Sequence, residues 1–271
     1  MKKEAKTKSE VAFKDVKMSW TDDDIEKIQN KPNLYLMQYG DLGCNHLGKE
    51  IVQNAYDEVL DDNSPGKEIW ITFDKKFNKL TVEDDGRGFP ENDFSLDIFV
   101  TKLQSGSKSN RSQSGSTSGE FGVGGTVTNA LSAVFEIESR RPAENWIHSI
   151  RFENGKSVSD KKKANPKGLH GTKISMIPNE KYLGRGAKFD LKEFRDWIDD
   201  ISYLLGNSKK KITTHYCVMN GTTQVEKDKV KSSPFSNMIY KICERPMMDP
   251  IIIVKDDTID EEDINGKFHK K

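Results

Sequence analysis

Glu50, Asn54 and Asp57 follow one another inside the stretch Gly48-Lys49-Glu50-Ile51-Val52-Gln53-Asn54-Ala55-Tyr56-Asp57-Glu58-Val59. Wound at about 100° per residue, this stretch sets the three oxygen-bearing side chains on one stripe. Ile51, Val52, Ala55 and Val59 gather on the opposite side. A carboxylate with an amide one turn away can polarise a water and ligate a cation. An acidic stripe facing away from an apolar one is also the ordinary pattern of a solvated surface helix, so the segment alone leaves both readings open. Asn54 weighs toward chemistry, because asparagine lowers helix propensity slightly and is best tolerated where its oxygen has a use.

A second candidate is the turn Val82-Glu83-Asp84-Asp85-Gly86-Arg87-Gly88-Phe89-Pro90, which follows the strand-like alternation of Lys79 to Val82. Glycines there permit positive φ and close backbone approach to a ligand. A carboxylate at the strand end can accept a hydrogen bond from an exocyclic amine. Asp-x-Gly-x-Gly is by itself a common tight turn. The third candidate runs from Ser118 to Ser132, where Gly119-Glu120-Phe121-Gly122-Val123-Gly124-Gly125 leads straight into a helical pattern. Consecutive backbone N–H groups and a helix N-terminus would then face one point, which suits a phosphate chain. A flexible linker is the plain alternative, disfavoured because the apolar helix begins directly after the glycines.

These three elements, in this order and with Gly171-Thr172 behind them, resemble the GHKL ATPases and, within them, the ATPase subunit of the type IIA DNA topoisomerases. The resemblance covers Ile25 to Pro178 well and the remainder weakly. It implies an α+β fold, the Bergerat two-layer α/β sandwich with a mixed sheet and helices on one face, followed by the start of a transducer domain. It also implies ATP and Mg²⁺, with Glu50 as the base that polarises the attacking water and Asn54 as the magnesium ligand, Asp57 lying on the same stripe. Asp84 accepts from the adenine amino group, Gly86 and Gly88 leave room for the base, and Thr172 bridges through water. Glu58 and Arg87 pair across helix and turn, and Arg141 falls where the family has an arginine near the pocket. The lid starts at Ser105, Gly106, Ser107 and Lys108, with Lys108 favoured over Arg111 for the phosphates. It closes along Gly119, Glu120, Phe121, Gly122, Val123 and Gly124.

The elements that must position these residues follow. Residues 1–22 read as an arm, residues 23–228 as the ATPase domain with its lid at about 104–125, and residues 229–271 as the beginning of an incomplete transducer. The family's arm commonly offers a tyrosine to the partner's nucleotide, whereas this chain has no tyrosine before Tyr35. Ile25 to Asn30 reads as a short helix ended by Lys31-Pro32, and His46 sits one turn before Glu50. Ile69 to Phe73 and Leu80 to Val82 read as paired strands, Phe94 to Leu103 as a helix, and Ala133 to Ser139 and Trp146 to Phe152 as strands separated at Pro142. Lys161 to Lys167 reads as a basic loop, either solvated or in contact with DNA. Gly171 to Pro178 is a strand, and Leu191, Phe194, Ile198, Ile201 and Leu205 recur at the spacing of a packed helix face. Lys211 to Met219 is a further strand, and the pattern loosens beyond Asn220-Gly221.

The chain has 271 residues with 43 basic and 43 acidic side chains. Bulk charge therefore marks no nucleic-acid surface. No apolar run reaches the length of a membrane span, and the basic start is not followed by a secretory apolar core. The 3 cysteines lack metal-ligand spacing and read as reduced thiols in the cytoplasm of a bacterial or phage-infected cell. The resemblance implies a homodimer on ATP binding, DNA engaged through the full-length enzyme, and a separate DNA-cleavage subunit or region. The family's transducer supplies a lysine from a Gln-Thr-Lys loop, and no such triplet occurs here. The expectation is a fragment that binds ATP and hydrolyses it slowly alone. Two rivals stand beside it: another GHKL ATPase of chaperone or MutL type, and a nucleotide-gated dimerisation module without useful catalysis.

Overall fold

The computed structural model describes residues 23–36, 38–89, 96–103, 123–234 and 237, with the backbone of two short paired strands at Glu261–Glu262 and Phe268–His269. The first helix, α1 (Asp24–Asn30), is capped by Asp23, whose side chain accepts from the N–H groups of Ile25 and Glu26. Helix α2 (Gly40–Leu60) extends well beyond the segment expected from sequence. Strands β1 (Glu68–Asp74) and β2 (Lys79–Asp84) form the expected antiparallel hairpin. Two short helices follow, α3 (Ile98–Thr101) and α4 (Gly124–Ala130).

The chain then runs through β3 (Ser132–Arg141), β4 (Trp146–Glu153), β5 (Lys156–Ala164) and β6 (Gly171–Pro178). Helices α5 (Glu180–Leu183) and α6 (Leu191–Leu204) lead to β7 (Thr213–Asn220) and β8 (Thr223–Lys231). The eight strands make one sheet in the order β5-β4-β3-β6-β2-β1-β7-β8. Only β1 with β7 is parallel, so the sheet is mixed. The fold is the expected α+β sandwich.

Period-two alternation decides which face is covered. Ile69, Ile71 and Phe73 of β1 and Leu80 and Val82 of β2 are buried, and each intervening residue is only half-buried. α2 packs over β1, β2 and β6. Its close seat depends on Gly48, where a β-carbon would stand 2.9 Å from both Leu80 Cδ2 and Phe194 Cε2. α6 joins the same layer through Phe194, whose ring meets Phe73 edge-on with centroids 4.9 Å apart. Asn45 of α2 ties the two helices, donating to the Asp190 carbonyl and accepting from the Asp190 N–H at 3.0 and 3.1 Å.

Of the helix expected over Phe94 to Leu103 the described residues form only Ile98–Thr101, and two further stretches depart from the sequence reading. Lys161, Lys162 and Lys163 belong to strand β5 rather than to a loop, paired with Ser149, His148 and Ile147 of β4. Beyond Gly221 the chain continues as β8, paired antiparallel with β7. Both strands lie at the sheet's edges and are solvated on both faces, so neither shows the alternation that marks a half-buried strand. Lysines there also discourage edge-to-edge pairing with another chain.

Candidate functional site

The stripe of α2 expected to pack does so: Ile51, Val52, Ala55 and Val59 are buried. Glu50 and Asp57 are left half-buried and Asn54 exposed. Glu50 lies against the start of α4, where a β-carbon on Gly124 would stand 2.1 Å from the carboxylate Oε2. Any side chain at 124 would therefore displace either the acid or the helix. Gly124 thus lets α4, with Val123 just before it, border the carboxylate.

The C-terminal end of α2 meets the turn after β2. Asp84, the last residue of that strand, is only 5% exposed. Its Oδ1 accepts from the Gly86 N–H at 2.9 Å and the Thr172 N–H at 3.2 Å. Burial pushes its carboxyl up to about 7, the two backbone donors and the Arg140 charge pull it back, and the Glu58 charge pushes the same way as burial. Thr172, buried, opens β6 directly beside it.

Gly86 lets the helix rest on this turn, since a β-carbon there would stand 2.3 Å from Glu58 Cγ and 2.8 Å from Asp84 Oδ1. Arg87 then locks helix to turn. Its Nε and Nη2 donate to the two oxygens of Glu58, both at 2.9 Å, and its backbone N–H donates to Glu58 Oε1 at 2.7 Å. Burial would raise the Glu58 carboxyl, but the Arg87 side chain and backbone outweigh it and hold that group below the ordinary range. Gly88, with φ +72, lets the chain double back, and Arg141 Nη1 donates to the carbonyls of Gly88 at 3.0 Å and Arg87 at 3.3 Å.

Glu50 at one end of this arrangement and Glu58 at the other are eight residues apart on α2, or about 12 Å along the axis. Glu50, Asn54, Asp57 and Glu58 lie on the second half of α2, Val123 and Gly124 beside its middle at Glu50, and Asp84, Gly86, Arg87, Gly88, Arg141 and Thr172 around the turn at its C-terminal end. Ser105, Gly106, Ser107, Lys108, Gly119, Glu120, Phe121 and Gly122 lie outside the described residues. A separate groove of about 390 Å³ on the open face of the sheet, lined in part by Trp70, Glu83 and Lys173, contains none of the candidates.

Sequence reasoning missed two contributors. Asp61 supplies a second carboxylate to Arg87, with Nη2 to Oδ2 at 2.8 Å. It stands three residues after Glu58, a spacing that signals a shared helix face. Ser139 accepts from the Phe89 N–H at 2.8 Å and so anchors the far side of the Gly88 turn. A single serine in a strand offers no such signal.

A family model described as histidine kinase-, DNA gyrase B- and HSP90-like ATPase matches residues 44–189. The B subunit of DNA topoisomerase 4 from Staphylococcus aureus is 31% identical over 192 residues, 68% of this chain and 28% of that protein. The chain thus spans little more than a quarter of that relative's length. Among solved structures, the 43K ATPase domain of Thermus thermophilus gyrase B, in complex with an aminocoumarin, superposes with a TM-score of 0.64 at 24% identity. That match covers 81% of this chain and 55% of the other. The topoisomerase IV ATP-binding domain of Francisella tularensis, with a small-molecule inhibitor, gives a TM-score of 0.58 at 27% identity, covering 77% of this chain and 94% of that one.

Proposed function

The chain belongs to the histidine kinase-, DNA gyrase B- and HSP90-like ATPases, and from that membership we propose that it is the ATP-binding and ATP-hydrolysing domain of a type IIA DNA topoisomerase. One observation carries the reading. A buried carboxylate held by two backbone N–H groups sits beside the C-terminal end of α2, and a second carboxylate, at the middle of that helix, faces the glycine start of α4. A nucleoside triphosphate laid along the helix has its base at the first and its phosphates at the second.

Asp84 accepts from the adenine amino group, with Gly86 and Gly88 leaving space for the ring and the Thr172 hydroxyl joining through water. Glu58 and Arg87 wall one side, with Arg141 behind the turn. Their worth is chiefly positional, because Arg87 and Glu58 are both partly exposed. Glu50 takes a proton from the water that attacks the γ-phosphate. Asn54, with Asp57 on the same stripe, offers an exposed amide oxygen rather than a cage of carboxylates. That donor set suits Mg²⁺, which keeps water and phosphate oxygens in its shell; Asn54 would hold the ion, whose charge offsets that of the phosphates. In the enzyme we propose, two ATP-bound chains pair and gate the passage of DNA, and another region or subunit cleaves it.

Substituting Glu50→Gln tests the assignment. Phosphate release should fall at least about 100-fold, the usual worth of a positioned general base, with affinity for a non-hydrolysable ATP analogue kept. Unchanged turnover would remove Glu50 from the chemistry, and lost binding would make it a nucleotide ligand instead.

A further inference from the structure

Lys210 lies in the segment between α6 and β7, beyond the stretch matched to the family, yet its ammonium reaches back to the end of α2. Its Nζ donates to the backbone carbonyls of Val59 at 3.1 Å, Asp61 at 2.5 Å and Ser64 at 2.6 Å. An ammonium has three donors, so every N–H is placed on protein backbone. Val59 is among the last carbonyls that a helix leaves without partners, Asp61 is the C-cap and Ser64 lies in the loop that follows, so the cation also meets the negative end of the helix dipole. The Val59 carbonyl would take the N–H of Asn63 if α2 continued, but that N–H donates to Asp61 Oδ1 at 2.9 Å instead.

We propose that Lys210 is a positioning residue for the adenine end of the nucleotide site. The inference rests on the function proposed above. Three carbonyls of α2's last turn and the following loop converge on one charge, which fixes Glu58 and Asp61 relative to each other. Those two side chains hold Arg87, and Arg87 holds the Gly86-Arg87-Gly88 turn beside Asp84. The loop is joined to the same turn from its other side. Gly66 packs where a β-carbon would stand 2.9 Å from Gly86 Cα, and Asp85 Oδ1 accepts from the N–H groups of Lys67 and Glu68 at 2.7 and 2.8 Å. Lys210 touches no substrate position and acts only through this wall.

Two readouts on the 271-residue chain separate positioning from general stability. Affinity for a non-hydrolysable ATP analogue with Mg²⁺ is measured by calorimetry at a temperature where all variants are folded, and amide hydrogen exchange is followed at Arg87. Lys210→Met should weaken binding about five- to tenfold, within the range of a charge at a helix terminus, and speed exchange at Arg87 while leaving β3 and β6 amides unchanged. Asp61→Asn should weaken it too, and the double variant should lose less than the product of the two, because both act on one wall. If Lys210→Met does not fold, Lys210→Gln, which keeps two donors, should show the same effects at smaller size. A variant with a lower unfolding midpoint but wild-type affinity and wild-type exchange at Arg87 would overturn the proposal while leaving the proposed function standing. A wild-type chain that binds no nucleotide would overturn both.

Discussion

Asp84 is the group on which the pH response turns. Its folded carboxyl lies at about 7 against an ordinary value of 3.8, so the folded chain holds a proton that the unfolded chain has released. The stability this contributes is complete below the ordinary carboxylate range and is lost as pH rises through about 7. The ligand-free chain should show a falling urea midpoint between about pH 4 and 7, and Asp84→Asn should flatten that fall. Nucleotide binding runs the other way, because an adenine amino group donates to the ionised form. Affinity for an ATP analogue should rise about tenfold from pH 6 to pH 8, the change in the ionised fraction of a group near 7. A pH-independent affinity in the wild type would remove Asp84 from the adenine contact. Much of the candidate site was legible from residue types and spacing: the stripe of Glu50, Asn54 and Asp57 follows from the helical period, and Asp84 from its place at a strand end before two glycines. The perturbation of Asp84 was not, since it depends on burial and on donors from Gly86 and from Thr172, 88 residues away.

Helix α2 carries both ends of the proposed site, and α4 borders Glu50. Gly124→Ala isolates that contact. Alanine favours a helix over glycine by about 1 kcal/mol, but its β-carbon would occupy the place of the Glu50 carboxylate. The expected result is a thermal midpoint that changes little and a turnover that falls by about 100-fold, the usual penalty of displacing a catalytic group by about 1 Å. Wild-type turnover in this variant would mean that Glu50 does not need the border with α4. The elements with one buried face, α2, β1, β2 and α6, could be read from the sequence because burial imposes a period on the chain. β5 and β8 could not, as their side chains are solvated on both faces and their place comes from backbone pairing with β4 and β7. The parallel pairing of β1 with β7 joins residues far apart in the chain, which no local pattern announces. Lys210 was hidden for the same reason: three adjacent lysines look alike in sequence, and only the fold brings the middle one to the end of α2.

The eight-stranded sheet carries one helical layer, and the proposed site runs from the border of α4 with Glu50 to the turn after β2 and the start of β6. No described helix is long and apolar enough to cross a membrane. Family membership rests on residues 44–189, while β7, β8 and Lys210 lie beyond that stretch, and of these Lys210 donates to carbonyls at the end of α2. The most direct test is a crystal structure of this chain with a non-hydrolysable ATP analogue and Mg²⁺. It should show the adenine amino group on Asp84, the triphosphate running along α2 toward Gly124, magnesium on Asn54, and a water between Glu50 and the γ-phosphate. Nucleotide bound elsewhere, or a base that leaves Asp84 buried and untouched, would contradict the assignment.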